Sequence, residues 1–451
     1  MSKFRIFFIV LALFCVIAMT VHSQTAIPNT SITWAVNDGV LTISGNGPMP
    51  DWFSSTNSDR RPWHGQIARI TSVIIEDGVT RIGDYAFFNH SSIISVSIGR
   101  GINTIGNYAF AGCGGLESVI IPDNVTTLGI FVFNNCTRMT SVTIGSGISA
   151  IPNSAFQNTG LTSVTIPEGI TSIGSYAFGN NSRLTTVYYN AVNSGNVSST
   201  NYQFSNCQFL TTVVIGNRVR RIPDYLFFNI PSLESVTISN SVTAIGTYAF
   251  ANCANLTSIV IPDNVETLGG FVFNNCTRLR SATIGSGITA IPNNAFSNTG
   301  LTSVTIPEGI TSIGDRAFDN CSRLEIVYFN ARNCADLTST RYHFNNCPAL
   351  ETVVFGDNVR RIPAYALFGI SNLETITIGS RVNAIGNYAF ANLSNLTEII
   401  NKAVTPQPFA APNFVFNNVN RANIRLSVPA NALDSYRNAA EWKDIGNIIG
   451  N

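Results

Sequence analysis

Residues 158–174 have the sequence NTGLTSVTIPEGITSIG, and the same seventeen residues recur at 298–314. In the first copy, Leu161, Val164 and Ile166 are separated by hydroxyl residues. This spacing predicts a short strand whose Val and Ile point into a core while Ser and Thr face outward. Pro and Gly follow as corner residues, and a second Ile-x-x-Ile run closes the unit from the other side.

The same pattern repeats along the chain with a period of 22 or 23 residues, except at two steps of 26. Such a period indicates a solenoid, because one short unit cannot bury its apolar face alone. We predict a mainly β solenoid of about fifteen 23-residue units with one parallel sheet face, roughly 70 Å long at the spacing of paired strands. The units begin at Ile70, Ile93, Leu116, Met139, Leu161, Leu184, Leu210, Leu233, Leu256, Leu279, Leu301, Leu324, Leu350, Leu373 and Leu396.

A longer period of 140 residues is superimposed on the first, since Ile70, Leu210 and Leu350 are spaced by that interval. Both 26-residue steps fall at the same place in this longer repeat, so six units were duplicated as a block. The array is predicted to occupy residues 70–419. Its phenylalanines should form a buried column that includes Phe133, Phe156, Phe250, Phe273, Phe296 and Phe318.

The ends of the chain depart from the repeat and are predicted to cap it, over residues 24–69 and 420–451. Each terminal coil exposes one apolar face, which large side chains of a capping segment must bury. All the tryptophans lie in these ends: Trp34, Trp52, Trp63 and Trp442.

The ITSIG phrase at 170–174, followed by Ala-Phe at 177–178, resembles the mark of the BspA-like leucine-rich-repeat surface proteins of the Bacteroidetes type. The resemblance covers about residues 31–445 and extends to both ends, through Leu41–Gly45 and Val428–Trp442. It implies a right-handed leucine-rich-repeat coil. Because such proteins are associated with adhesion to host matrix proteins and other cells, it also implies a non-catalytic protein that mediates protein–protein binding or adhesion.

Composition narrows the function further. Hydrophobic residues make up 45% of the 451-residue chain and charged residues only 11%, which excludes a disordered chain. The formal net charge is +1. Because nucleic acids and anionic membranes are bound through basic patches, neither partner is expected.

Residues 1–23 have the pattern of a secretory signal peptide. Lys3 and Arg5 precede the apolar run Ile6–Val21, and small residues before Gln24 offer a cleavage site. We predict a secreted or cell-surface protein, with an uncleaved anchor as the alternative. No other stretch reaches the about 18 apolar residues of a membrane span, so no transmembrane segment is expected after leader removal.

The cysteines follow the repeat. Seven of them share one position, which predicts a ladder of buried free thiols, with disulfides as the alternative. Cys334 lies out of register, and we expect a surface thiol there or a bond to Cys321 or Cys347. No C-x-x-C pair or histidine cluster indicates a metal site. The seven are Cys113, Cys136, Cys207, Cys253, Cys276, Cys321 and Cys347.

Catalytic chemistry has little support in the sequence. After the leader the histidines are His64, His90 and His343, and none lies near a nucleophile motif. We interpret them as ordinary turn or surface residues. The Gly285–Ala290 stretch fits a loose dinucleotide-binding pattern, but it recurs at 145–150 as a repeat corner. No enzymatic activity and no cofactor are expected.

Ligand contacts are expected on the outward, mainly hydroxyl face of the sheet. Tyr188 and Tyr328 are its aromatic residues, six units apart. Each adjoins a 26-residue step whose longer loop, 193–203 or 333–343, adds polar groups. The charged residues that replace Ser or Thr on this face are Glu117, Glu234, Glu325, Glu351, Glu374, Glu398 and Arg280.

The predicted binding residues are Tyr188, Tyr328, Glu117, Glu234, Glu351 and Glu374. The expected partner is a protein, such as host extracellular matrix or another cell surface, bound by a monomer. A glycan-binding module that uses the two tyrosines as aromatic platforms is the alternative. A solvated face without a partner is the remaining possibility.

Overall fold

The computed structural model describes residues 24–53, 61–197, 202–338, 343–409 and 414–451. The predicted signal peptide, residues 1–23, lies outside these ranges. Within them the chain forms a parallel β-solenoid, as the sequence predicts.

Each repeat unit contributes one strand to the same side of the solenoid. These parallel strands are hydrogen-bonded in five successive groups, which together are here called the face sheet. In Ser163–Ile166 exposed and buried residues alternate, because Ser and Thr alternate with Val and Ile. Val164 pairs with Val187 of the next coil, so inward side chains stack in register. Fifteen face strands match the predicted units: Ser72–Ile75, Ser95–Ile98, Ser118–Ile120, Ser141–Thr143, Ser163–Ile166, Thr186–Tyr189, Thr212–Ile215, Ser235–Thr237, Ser258–Val260, Ser281–Thr283, Ser303–Ile306, Ile326–Phe329, Thr352–Phe355, Thr375–Ile378 and Glu398–Asn401.

The second apolar run of most coils also forms a short strand, an addition to the one sheet face that the sequence predicted. These back strands pair in parallel with those of neighbouring coils. Among the described residues, the two longer coils lack one. Their backbone is held instead by bonds from Val197 N to Asp224 O and from Leu337 N to Ala364 O. The back strands are Gly47–Pro48, Val79–Ile82, Thr104–Ile105, Thr127–Leu128, Ala150–Ile151, Ser172–Ile173, Arg221–Ile222, Ala244–Ile245, Thr267–Leu268, Ala290–Ile291, Ser312–Ile313, Arg361–Ile362 and Ala384–Ile385.

A column of phenylalanine rings runs through the core between the two sets of strands. The six phenylalanines predicted to be buried all are, and the rings of Phe133 and Phe156 stack with centroids 5.6 Å apart. Trp63 stacks on the first ring of the column, Phe87, at 5.7 Å. At the other end Trp442 packs edge-on against Phe416 at 6.0 Å. Aromatic side chains from both chain ends therefore cover the column.

The terminal segments extend the face sheet. Ile32–Asn37 and Val40–Gly45 form an antiparallel hairpin, and the second strand pairs in parallel with Ser72–Ile75. Arg425–Val428 and Asn447–Gly450 continue the sheet in parallel at the other end. The remaining elements are strand Thr25–Ala26, the α-helix Leu433–Asn438 and the 3-10 segments His64–Arg69, Arg421–Asn423 and Ala430–Ala432.

The cysteines confirm most of the predicted pattern and correct one part of it. The seven at the repeat position are buried. Cys334 was expected at the surface or in a disulfide, and both expectations are wrong, since it is a buried free thiol. The reason is the path of its loop, which a bond from Ala335 N to Thr311 O (2.8 Å) holds against the preceding coil. This path turns Cys334 and Leu337 into the core.

Candidate functional site

The outward residues of the face sheet form columns, because the strands of each hydrogen-bonded group pair without a shift. The third residue of each strand lies in what we call the central column. Tyr188 pairs with Thr165 on one side and Val214 on the other. We call residues 116–255 the first block and residues 256–395 the second block, since each position of one corresponds to the position 140 residues later in the other. In the second block, Tyr328 pairs with Val354 in the same way. Each tyrosine therefore has a valine directly beside it on the next coil.

The central column is far less hydroxyl-rich than the sequence analysis expected. Eight of its fifteen residues are apolar, and Ile120 and Val260 are 68% and 61% exposed, more than Tyr188 at 44% or Tyr328 at 40%. The sequence analysis considered only the charged and aromatic residues that replace Ser or Thr on this face. Aligning the strands by the 140-residue period would also have found the exposed Ile and Val residues. The eight are Ile74, Ile120, Tyr188, Val214, Val260, Tyr328, Val354 and Ile400.

A row of glutamates borders the column in the second block. Glu325, Glu351 and Glu374 are exposed and lie on three consecutive coils, here called the Glu stripe. Their backbones are joined by bonds from Glu351 N to Glu325 O (3.2 Å) and from Glu374 N to Glu351 O (2.9 Å). The backbones of neighbouring glutamates are thus about 5 Å apart at the strand spacing. None takes part in an ion pair with the described residues, so the stripe presents uncompensated negative charge.

The structure brings only some of the predicted site residues together. Glu351 lies on the coil next to Tyr328, and Glu374 one coil further. Glu234 is two coils from Tyr188. Glu117 is three coils from Tyr188, roughly 14 Å at the strand spacing, so it belongs to a different part of the face.

The longer loops begin where the two tyrosine-bearing strands end. Ala191 and Ala331, just after those strands, are buried. The residues that follow include the exposed Asn193 and Asn333. Arg332 of the second loop pairs with Glu308 at 3.1 Å. These contacts hold each loop start against the previous coil, at the edge of the face sheet.

The histidines lie in places that sequence reasoning partly misjudged. His64 is exposed, but His90 and His343 are buried rather than at the surface. The Nδ1 atom of His90 is 3.0 Å from Arg61 Nη1, and that of His343 is 2.9 Å from Gly314 O. Both rings therefore contribute to packed turns.

Other reactive groups are equally enclosed. Burial raises the pKa of the Cys113, Cys207 and Cys253 thiols to about 12, which keeps them protonated and poorly nucleophilic. In the described ranges, no group of three or more His, Cys, Asp or Glu side chains is placed to hold a metal ion. Nor does any helix in that part of the chain have the length and apolar character to cross a membrane.

The stacked coils, the parallel face sheet and its exposed column define a leucine-rich-repeat solenoid. The model of the BspA type leucine rich repeat region matches residues 65–185, 198–325 and 337–436, with six copies. These ranges span well over half of the sequence. The chain belongs to this family.

Several solved structures are similar to the chain. A leucine rich cell surface protein from Faecalibacterium prausnitzii is 28% identical over 74% of this chain and 95% of its own, with a TM-score of 0.32. A leucine-rich repeat protein from Bacteroides ovatus is 21% identical over 94% and 98%, with a TM-score of 0.45. The pneumococcal vaccine antigen PcpA is 15% identical over 95% and 98%, with a TM-score of 0.34. No curated protein matches the chain.

Proposed function

We propose that the chain is an exported, non-catalytic protein that binds a protein partner through the face sheet around Tyr328 and thereby mediates adhesion. Membership of the BspA-type family supports a protein-binding role. Export rests on the signal peptide predicted over residues 1–23. The partner would be a component of the extracellular matrix or of another cell surface.

The observation that supports this site is the pairing of exposed Tyr328 with half-buried Val354, bordered by the Glu stripe. An aromatic side chain beside an aliphatic one, with charge at the rim, is the composition of a protein-binding patch. Ile326, half-buried in the same strand, widens the apolar surface. Because the stripe has no cationic partner among the described residues, charge complementarity favours a partner segment with Lys or Arg beside an apolar side chain.

Binding of the full chain to a panel of immobilised extracellular matrix proteins and to a glycan array tests this proposal. We expect at least one protein to bind. Tyr328→Ala should then weaken binding about tenfold or more, while the matched variant Tyr188→Ala has the smaller effect.

Two results would contradict the proposal. Binding to glycans alone, lost in Tyr188→Ala and Tyr328→Ala alike, would favour the aromatic-platform alternative. A folded Tyr328→Ala variant that binds its protein with unchanged affinity would move the contact away from this part of the face sheet.

A further inference from the structure

A cavity of about 680 Å³ lies outside the face sheet, on the flank formed by the turns that follow the back strands. It opens among residues 343–348 and 365–372 of two successive coils, with Asn298 and Asn320 at its border. Its volume falls in the range of small-molecule sites, about 300–1,000 Å³.

The cavity coincides with an interruption in a ladder of left-handed residues. Most coils place an asparagine at this position, as at Asn346 (φ 53°) and Asn392 (φ 59°), but the coil between them has Gly369 (φ 76°). A Cβ atom added at Gly369 would meet no other heavy atom within 4 Å. The first block has Asn229 at the corresponding position, with φ 60°. The glycine therefore leaves open a space that a side chain can occupy.

The amides around this space are also bonded differently from those of the first block. There, Asn206 donates from Nδ2 to Asn180 Oδ1 at 2.9 Å. Their counterparts are Asn346 and Asn320, and Asn320 donates to Asp319 Oδ2 at 3.2 Å instead. The side chain of Asn346 makes no hydrogen bond with the described residues. An exposed amide that can both donate and accept thus borders the cavity.

Aromatic side chains form another part of the lining. Tyr365 and Phe368 form an apolar wall, with their rings edge-to-face at 5.5 Å. One face of Tyr365 is covered by Tyr388 at 5.0 Å, which fixes the orientation of the ring. Among the residues that the structure describes, the lining contains no Asp, Glu, Lys or Arg. This described part therefore offers no carboxylate, ammonium or guanidinium group to pair with a charged ligand.

We propose that this cavity binds a neutral sugar unit. Sugar hydroxyls both donate and accept, as the amides of Asn298, Asn320 and Asn346 do, and the C–H faces of a sugar ring pack on aromatic walls such as Tyr365 and Phe368. Because the described part of the lining has no Lys or Arg, we expect neutral sugars to bind more tightly than anionic ones. This site is distinct from the face sheet, so the solenoid has two independent recognition surfaces.

Saturation-transfer NMR of the full chain with glucose, galactose, mannose, N-acetylglucosamine and N-acetylneuraminic acid tests the proposal. We expect signals from at least one neutral sugar. Gly369→Asn restores the residue of the first block at a φ that Asn adopts readily, and it should weaken binding about tenfold or more by filling the cavity. Asn346→Gly, which removes the amide but keeps the left-handed backbone, should also weaken it.

The matched control is Asn229→Gly, which makes the reverse change in the first block and should leave sugar binding unchanged. Tyr328→Ala should leave it unchanged as well, which separates this test from that of the face sheet. The proposal is overturned if no neutral sugar binds, if N-acetylneuraminic acid binds more tightly than every neutral sugar, or if folded Gly369→Asn binds as the native chain does.

Discussion

The two duplicated blocks share most of their interior and differ more on their surfaces. Val164 and its counterpart Val304 are both 2% exposed, and Phe133 and Phe273 are both fully buried. Around the exposed tyrosines, by contrast, Thr185 and Thr211 of the first block correspond to Glu325 and Glu351 of the second.

This difference separates two kinds of position. An inward residue contacts the coils on both sides, so a change of volume there disturbs three coils at once. An outward residue of the face sheet contacts only its neighbours in the column and solvent. Substitutions at outward positions therefore placed charge beside Tyr328 and opened a cavity at Gly369 without disturbing the stacking of the coils.

The largest expected change in stability tests whether the cores of the two blocks are equally important for folding. Phe273→Ala should cost roughly 3–5 kcal/mol of stability, because it leaves a cavity in a close-packed column. Phe133→Ala should cost the same within error, since both rings stack between two others. Denaturant midpoints measure both. A Phe273→Ala variant as stable as the native chain would show that the column does not hold the coils together.

The next effect tests an interior position that differs in chemistry between the blocks. Buried Asn181 corresponds to Cys321. The Asn181 side chain accepts from Thr159 N and Oγ1, both at 2.7 Å, and donates to Phe156 O and Phe178 O. Because its loss leaves the buried Thr159 N–H without this acceptor, Asn181→Ala should cost about 1–3 kcal/mol more than Cys321→Ala.

Thermal or denaturant unfolding of both alanine variants gives this comparison. Asn181→Cys, which copies the second block, should recover part of the loss, since Cys321 accepts from or donates to Thr299 Oγ1 at 3.2 Å. Equal costs for the two alanine variants would mean that the asparagine bonds add nothing beyond packing.

The sequence predicted the interior well and the surface poorly, for a physical reason. The inward Leu, Val, Ile and Phe recur with the period, so periodicity alone gives the strands, their register and the buried column. The buried position of Cys334 depends on a loop path outside the repeat. The open space at Gly369 depends on which neighbouring side chains fail to fill it. A glycine in the ladder of asparagines gives no such signal, because Gly112 stands at the same position and a Cβ atom there would clash with Asn89 Oδ1.

The negative charge beside Tyr328 is a further difference between the two tyrosine sites. Once a protein partner is identified, Glu351→Gln should slow association by about two- to fivefold and weaken its salt dependence, with little change in dissociation. Stopped-flow or surface plasmon resonance at several salt concentrations measures this. Glu117→Gln is the control, because Glu117 is remote from Tyr328 and should not matter. An equal effect from both variants would show that overall charge, rather than the Glu stripe, guides the partner.

The smallest expected change in binding comes from giving the Tyr188 site the residues that surround Tyr328. In a Tyr328→Ala background, Thr185→Glu with Thr211→Glu places carboxylates beside Tyr188 and Val214, as Glu325 and Glu351 border Tyr328 and Val354. Binding should recover only about two- to fivefold, because exposed charges contribute little each and Thr186 still stands where the second block has the apolar Ile326. Adding Thr186→Ile should raise the recovery further. If the two glutamates alone restored full affinity, charge would be the whole difference between the sites; if all three changes restored none, the partner must also contact residues beyond these columns.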